Sequence, residues 1–353
     1  MQPEGKKRIW AEYQKSVPED HFFYVRSCIR QSFFPGSEQA FLKIMRNDLG
    51  KDVFEDPRHT TCTGIGYHGD VVPFETIQTV VARQFSLATE AGYKNIAISC
   101  VTSFGIYTEI LETWKHFPET LNTARENLYK ATGRVFDLPE SISHASDIIY
   151  KFKDEIAAKA KYRLVDITTG KPLKVVEHIG CHYAKMFPKH GIGGAEFPHV
   201  LVGMIESWGG DIVDYPERRH CCGFGFRQYL VQANRGYSLS SSRKKFESME
   251  PYQPDMIVTN CPGCGMFLDR WQYVIKDIEG VTYGKDGEGI PSLTYEEMAG
   301  LVMGYDPWEL GLQYHNVQAL PLLRKMGIEA DPDKRFLAKD GTRLPEPANL
   351  INC

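Results

Sequence analysis

Residues 211–226 read DIVDYPERRHCCGFGF, and residues 52–67 read DVFEDPRHTTCTGIGY. Each begins with Asp and carries a Pro ahead of a Cys, Pro216 before Cys221 and Pro57 before Cys62. Each closes on the same frame of Cys, Gly, Gly and an aromatic, CCGFGF in one and CTGIGY in the other. The likeness continues on both sides. Upstream, FYVRSCIRQSFFP (Phe23–Pro35) lines up with VEHIGCHYAKMFP (Val176–Pro188), matching Cys28 with Cys181. Downstream, NIAISCVTS (Asn95–Ser103) lines up with MIVTNCPGC (Met256–Cys264), matching Cys100 with Cys261. The pairs keep their order at offsets of 153, 159 and 161 residues. Three collinear matches at nearly constant offset are the signature of a duplicated domain.

The two halves share one reading at the level of elements. An apolar, β-rich run ends near a Cys, Phe22–Arg26 in the first half and Leu173–Ile179 in the second. Helical periodicity follows over Glu38–Leu49 and Phe197–Trp208, stopped by Gly50 and by Gly209-Gly210. Short strands are expected at Val53–Glu55 and Ile212–Asp214, closed by Pro57 and Pro216. A longer helix is expected over about Thr76–Glu90 and again over about Leu230–Glu247, then a buried strand ending at Cys100 or Cys261. Strands alternating with helices predict an α/β, Rossmann-like fold with mostly parallel sheets. In such sheets ligands gather beyond the carboxyl ends of the strands. The first and third Cys of each half stand at those ends, and the loop carrying the second follows another strand. Thiols far apart in sequence are therefore expected to meet. Outside the repeats, the charged stretch Lys115–Lys171, with KFKDEIAAKAK, reads as solvated helix. After about Gly280 a Gly-rich turn, YGKDGEGIP, precedes a tail with helical periodicity in LTYEEMAGLVMG and WELGLQYHNVQALPLLRKMG.

A length of 353 residues suits two domains. Hydrophobic content of 42% and charged content of 24% are those of an ordinary globular protein. A formal charge of −4 gives no reason to expect nucleic acid as a partner. No apolar run reaches the length of a membrane span. The opening stretch MQPEGKKRIWAEYQK has no apolar signal core, so a cytoplasmic location is expected. Thiols stay reduced there, and nine cysteines read as ligands or redox groups rather than as a disulfide framework. Cys353, at the end of the sequence, reads as incidental.

The second half carries five of those thiols: Cys181, Cys221, Cys222, Cys261 and Cys264. Thiolates are soft ligands for zinc, copper(I) and iron–sulfur clusters. A structural zinc site takes four ligands, usually as two short-spaced pairs. The CxxC of Cys261 and Cys264 supplies one such pair, but adjacent Cys221 and Cys222 make an awkward second one. A polynuclear cluster can be gripped from several sides, so an iron–sulfur site is the leading expectation, ahead of zinc or redox thiols alone. The first half keeps Cys28, Cys62 and Cys100, with Thr63 and Ser103 where the other half has Cys222 and Cys264. It is a relic packing site, a smaller or incompletely ligated cluster, or a pocket that binds sulfane sulfur. His182, Lys185, Arg218, Arg219 and His220 stand near the second set in sequence and read as surface charge or as cations favouring electron uptake. Gly191-Ile192-Gly193-Gly194 lacks a phosphate-loop pattern, so nucleotide binding is not expected.

The duplicated Cys, Cys-Cys-Gly, Cys-x-x-Cys pattern resembles the cysteine-rich CCG domains of the heterodisulfide reductase B subunit, over about Phe22–Asp277. The resemblance implies two duplicated Rossmann-like CCG domains plus a helical C-terminal tail. It divides the chain into an N-terminal arm (1–21), a degenerate CCG domain (22–114), a helical linker (115–172), an intact CCG domain (173–285) and the tail (286–353). It further implies a noncubane [4Fe-4S] cluster held by Cys181, Cys221, Cys222, Cys261 and Cys264. For Cys28, Cys62 and Cys100 the carry-over is partial, because Thr63 and Ser103 depart from the pattern. That asymmetry is most like the variant B subunit of the sulfur-oxidising heterodisulfide-reductase-like complex. Implied partners are the ferredoxin-like and flavin-containing subunits of the same complex, and a lipoate-binding sulfur carrier protein. The alternatives are a non-catalytic metal-stabilised scaffold, or an electron-transfer subunit of a glycolate- or lactate-type oxidoreductase.

Overall fold

The strand FFYV, Phe22–Val25 (β1), is buried at every residue, as a strand of a parallel sheet covered on both faces must be. It lies between Val53–Phe54 (β2) and Asn95–Ile98 (β3), and Ser141–His144 (β4) extends the sheet beyond β3. The second half repeats this with Lys174–His178 (β5), Asp211–Ile212 (β6), Met256–Thr259 (β7) and Ser292–Thr294 (β8). The strand orders are β2-β1-β3-β4 and β6-β5-β7-β8, and all pairings are parallel. The fold is α/β with two Rossmann-like halves, and the duplication read in the sequence is a duplication of topology. The computed structural model describes residues 16–60, 62, 64–68, 71–186, 198–225, 235–336 and 342.

Several elements differ in extent from the sequence pattern. A short helix, Cys28–Phe33, starts at the cysteine itself, with the Ser27 hydroxyl capping it. The next helix runs Pro35–Lys43 and widens into a π turn over Ile44–Asp48. The long helix Phe74–Ala91 ends on Gly92, whose φ of +82° is a left-handed cap. Its counterpart is described over Arg235–Met249, and the part of Leu230–Glu247 before that lies outside the described residues. The helix expected to open at Phe197 is Val200–Ser207, and Phe197 itself lies outside the described residues. The largest difference concerns β4 and β8. Both come from stretches outside the repeats, so residues 115–172 and the tail each complete a sheet.

The tail also joins the halves. Its helix Tyr295–Met303 is buried along its whole length and packs on Pro35–Lys43 of the first half. It opens with a reciprocal capping box between Thr294 and Glu297. Gly311, at φ +81°, interrupts the periodicity of WELGLQYHNVQAL, leaving one turn at Leu312–Tyr314 and a short helix Leu320–Met326. One hydrophobic core runs through both halves, with a satellite of Phe34, Met266 and Phe267 beside it.

Candidate functional site

In each sheet the chain leaves the central strand for one neighbour and crosses back to the other. The crevice of such an open sheet lies at the carboxyl ends of those two strands, β1 and β3 or β5 and β7. Cys28 and Cys100 follow β1 and β3, and Cys181 and Cys261 follow β5 and β7. The cysteines are thus delivered by topology rather than by local spacing.

Cys261 is the N-cap of the helix Pro262–Glu279, and its sulfur accepts from the Cys264 amide at 3.4 Å. Pro262 at the first helical position suits this start, since its missing N–H would have no partner there. The CxxC is therefore a first helical turn, with the positive end of the helix dipole toward its sulfurs. The Cys222 and Cys264 sulfurs lie 3.2 Å apart, and His178, at the end of β5, completes a buried trio with them. Cys181, Cys221, Cys222 and Cys264 line one small cavity of about 50 Å³ with His178, His220 and Arg219. Cys261 is coupled to it through its contact with Cys264. Cys181 and Cys221 are exposed, whereas Cys222, Cys261 and Cys264 are buried. Five thiols thus converge, with the open side toward Cys181 and Cys221. A larger cavity of about 360 Å³, lined by Thr108, Trp114, Lys115 and Ser141, has no thiol in its wall.

The five are not electrostatically alike. Hydrogen bonds from Cys221 and Cys264 hold the Cys222 thiol well below its ordinary range, helped by His178. Those same contacts push Cys221 and Cys264 up. The three sulfurs thus share their protons, which a soft metal would displace.

The first-half set differs. Cys28, Cys62 and Cys100 sense one another's charge, and burial pushes all three thiols up, Cys62 to about 12. Ser103, in place of the last Cys, hydrogen-bonds Cys62. Thr63 lies outside the described residues. Cys100 also senses Cys261, so the two sets face each other across the junction of the halves. Gly180 explains that closeness. A Cβ there would stand 2.7 Å from the Cys261 Cβ and 2.8 Å from a Val101 methyl, so only glycine fits.

Sequence reasoning missed the groups that hold the Cys-Cys-Gly loop. The helix Arg235–Met249 turns a polar face toward it. The hydroxyls of Ser238, Ser241 and Ser242 donate to the carbonyls of Gly223, Cys221 and Cys222 at 2.5, 3.0 and 2.5 Å. Gly223, at φ +93°, lies where a Cβ would be 2.4 Å from the Ser238 carbonyl oxygen. The spacing of Ser238, Ser241, Ser242, Lys245 and Ser248 is that of one helical face, and this was the available signal. Arg218 and Arg219 both donate to buried Glu177 at 2.7 Å. His182 pairs with Thr102 across the halves at 3.0 Å. The Lys185 side chain, Gly191–Gly194 and Cys353 lie outside the described residues.

Doubly repeated parallel sheets with a convergent thiol set define a cysteine-rich domain protein, and residues 175–269 match the family model described as CCG, cysteine-rich domain. The chain is 28% identical over 323 residues to the B subunit of the ferredoxin:CoB-CoM heterodisulfide reductase of Methanosarcina acetivorans, covering 89% of this chain and 98% of that one. It is 27% identical over 300 residues to the protein of the same name from Methanosarcina mazei, covering 85% and 94%. The chain thus carries a CCG cysteine-rich domain and is similar over most of its length to heterodisulfide reductase B subunits. A crystal structure of a hypothetical protein from Helicobacter pylori shares the fold at TM-score 0.60 and 13% identity, over 90% of this chain and 58% of that one. Among the described residues no helix is long and apolar enough to cross a membrane.

Proposed function

We propose that the chain is the iron–sulfur subunit of a cytoplasmic heterodisulfide-reductase-like complex, working on a disulfide, persulfide or thiol. The observation that carries this reading is the convergence of Cys181, Cys221, Cys222 and Cys264 on one cavity, with Cys261 behind them at a helix N-terminus. Soft sulfur donors in excess of four fit a polynuclear iron–sulfur cluster better than one tetrahedral ion. These five would hold a [4Fe-4S] cluster of the noncubane type. When bound, it supplies one-electron steps and iron sites for sulfur. The protein's own contribution is positional. The Ser238–Ser242 hydroxyls fix the Cys-Cys-Gly loop, and the Glu177 pairs fix Arg218 and Arg219 beside the cavity. Cys181 and Cys221 stand on the solvent side, where a substrate sulfur arrives.

The working units are 22–114 and 173–285, with 115–172 and 286–353 completing their sheets. Cys28, Cys62 and Cys100, with the Ser103 hydroxyl, form a neighbouring pocket for a sulfane sulfur or an incompletely Cys-ligated second cluster. Electrons pass to the ferredoxin-like subunit and the flavin-containing subunit of the complex. A lipoate-binding carrier delivers the sulfur in sulfur oxidation.

Iron and sulfide analysis of anaerobically purified protein, with electron paramagnetic resonance, tests this. The expected result is a cluster signal that changes when a small disulfide or a lipoyl carrier is added. C222A should remove most of that signal, and C353A should leave it intact. A chain that retains zinc and no iron would sink the reading in favour of a scaffold.

A further inference from the structure

Lys245 stands on the polar face of the helix Arg235–Met249 and is wholly buried. Its ammonium donates to the carbonyl oxygens of Glu217, Arg218 and His220, at 3.0, 2.9 and 3.4 Å. It lies 5.0 Å from the centre of the Tyr215 ring. Its hydrogen-bond partners are therefore neutral, and among the described residues no carboxylate lies within ion-pair distance of it. The neighbouring Lys244 takes Glu217, and Glu177 is taken by Arg218 and Arg219. Three cations, Arg218, Arg219 and Lys245, thus share one buried carboxylate, Glu177, and a further counter-charge suits such an excess. Of the negative groups, Glu177 acts most strongly on Lys245, followed by the Cys222 and Cys264 sulfurs when these ionise.

The first half offers a comparison within the same chain. At the repeat offsets of 159 to 161 residues from Lys245 stand Ser86, Phe85 and Gln84, none of them cationic. Gln84 anchors the equivalent loop there, donating to the Thr60 carbonyl at 2.7 Å. Arg83, one residue before it, donates to the Arg58 carbonyl at 2.9 Å, so that loop too is held by a cation, though a partly exposed one. On this helix, the wholly buried cation accompanies the half that keeps all five thiols.

We propose that Lys245 is a positioning residue and the buried counter-charge of the second-half thiolate set, retaining its bound group and holding that group's potential up. This rests on the iron–sulfur reading above. Three N–H bonds fix the chain just ahead of Cys221, and the positive charge, which burial confines to below about pH 8, offsets the negative charge added when the site accepts an electron. A positive charge close to a redox group favours its reduced state, so removing it drives the potential down.

The test uses the full chain, purified anaerobically, with K245Q, K245R and K244Q. K245Q keeps hydrogen-bond donors and loses the charge, and K244Q loses an equal charge at the surface. The expected results are a midpoint potential more negative in K245Q than in wild type, and roughly 10-fold faster iron loss to a chelator. K244Q should match wild type in both, and K245R should keep the wild-type midpoint. K245Q and K244Q behaving alike would overturn the counter-charge role while leaving the iron–sulfur reading standing. Should K245Q fail to fold, K245R decides, and a folded, iron-bearing K245R with a lowered midpoint overturns the proposal. A wild-type chain without iron removes both readings together.

Discussion

Arg30 and Asn260, from opposite halves of the chain, are joined by a hydrogen bond from the Arg30 Nη2 to the Asn260 carbonyl oxygen, 3.2 Å long. The same guanidinium donates to the Ser99 carbonyl at 2.7 Å and pairs with Glu296 at 2.5 Å. Asn260 in turn accepts the Gly180 amide on its side-chain oxygen at 3.0 Å. The residues just before Cys100, Cys261 and Cys181 therefore hang on one buried cation, two residues past Cys28.

Arg30 and Glu296 are both fully buried, so removing one leaves the other without its partner. Burial already lifts the Glu296 carboxyl to about 7 although Arg30 opposes it. R30M should destabilise the chain by about 3–5 kcal/mol, the scale for breaking a buried pair. The double variant R30M/E296Q should lose less, because no uncompensated carboxylate remains. Urea unfolding of the three proteins checks both statements. A wild-type midpoint for R30M would mean that the clamp carries no stability.

Gly180 concerns the same junction from the other side. An added methyl would meet the Cys261 Cβ and the Val101 side chain at distances no Cβ tolerates. G180A should cost roughly 1–3 kcal/mol, as overpacking does, and should lower the iron content because Cys181 and Cys261 are pushed apart. Thermal melting and metal analysis of the same sample read both effects. Wild-type values for each would show that these strand ends have slack.

The cysteine positions were legible because they follow buried strands whose apolar runs repeat in both halves. NIAIS before Cys100 and MIVTN before Cys261 read as strands without any knowledge of the site. The fourth strands were not legible. SISH and SLT are short and half polar, and each stands beside a charged or Gly-rich stretch. Yet both begin with Ser, both continue directly into a helix, and both cap that helix from the last strand residue. Lining them up with each other was the signal available. The serines of the Arg235–Met249 helix were hidden for a different reason. Ser and Lys on a helix normally face water, so their shared face was legible from its spacing while the backbone carbonyls it meets were not.

His315 tests the joint between the tail and the first half. It is buried, with its ring 5.2 Å from that of Phe34, and its Nε2 lies 3.1 Å from a Glu297 oxygen. Burial is the strongest single influence and opposes its charge, but Glu297, Asp269 and the Ser292 backbone together outweigh it and lift the imidazolium to about 9. The ordinary value is 6.5, so the folded state binds this proton more firmly than the unfolded state. Its contribution is therefore fully present below 6.5 and is lost as pH rises through about 9. The shift corresponds to something on the order of 3 kcal/mol at the acid end of that window. H315Q should abolish this part of the dependence, so the wild-type advantage should be large near pH 6 and small above about pH 9. Urea midpoints of both proteins across that range read the difference. A constant gap between the two curves would mean that His315 is neutral in the folded protein and that Glu297 is held by its helix cap alone.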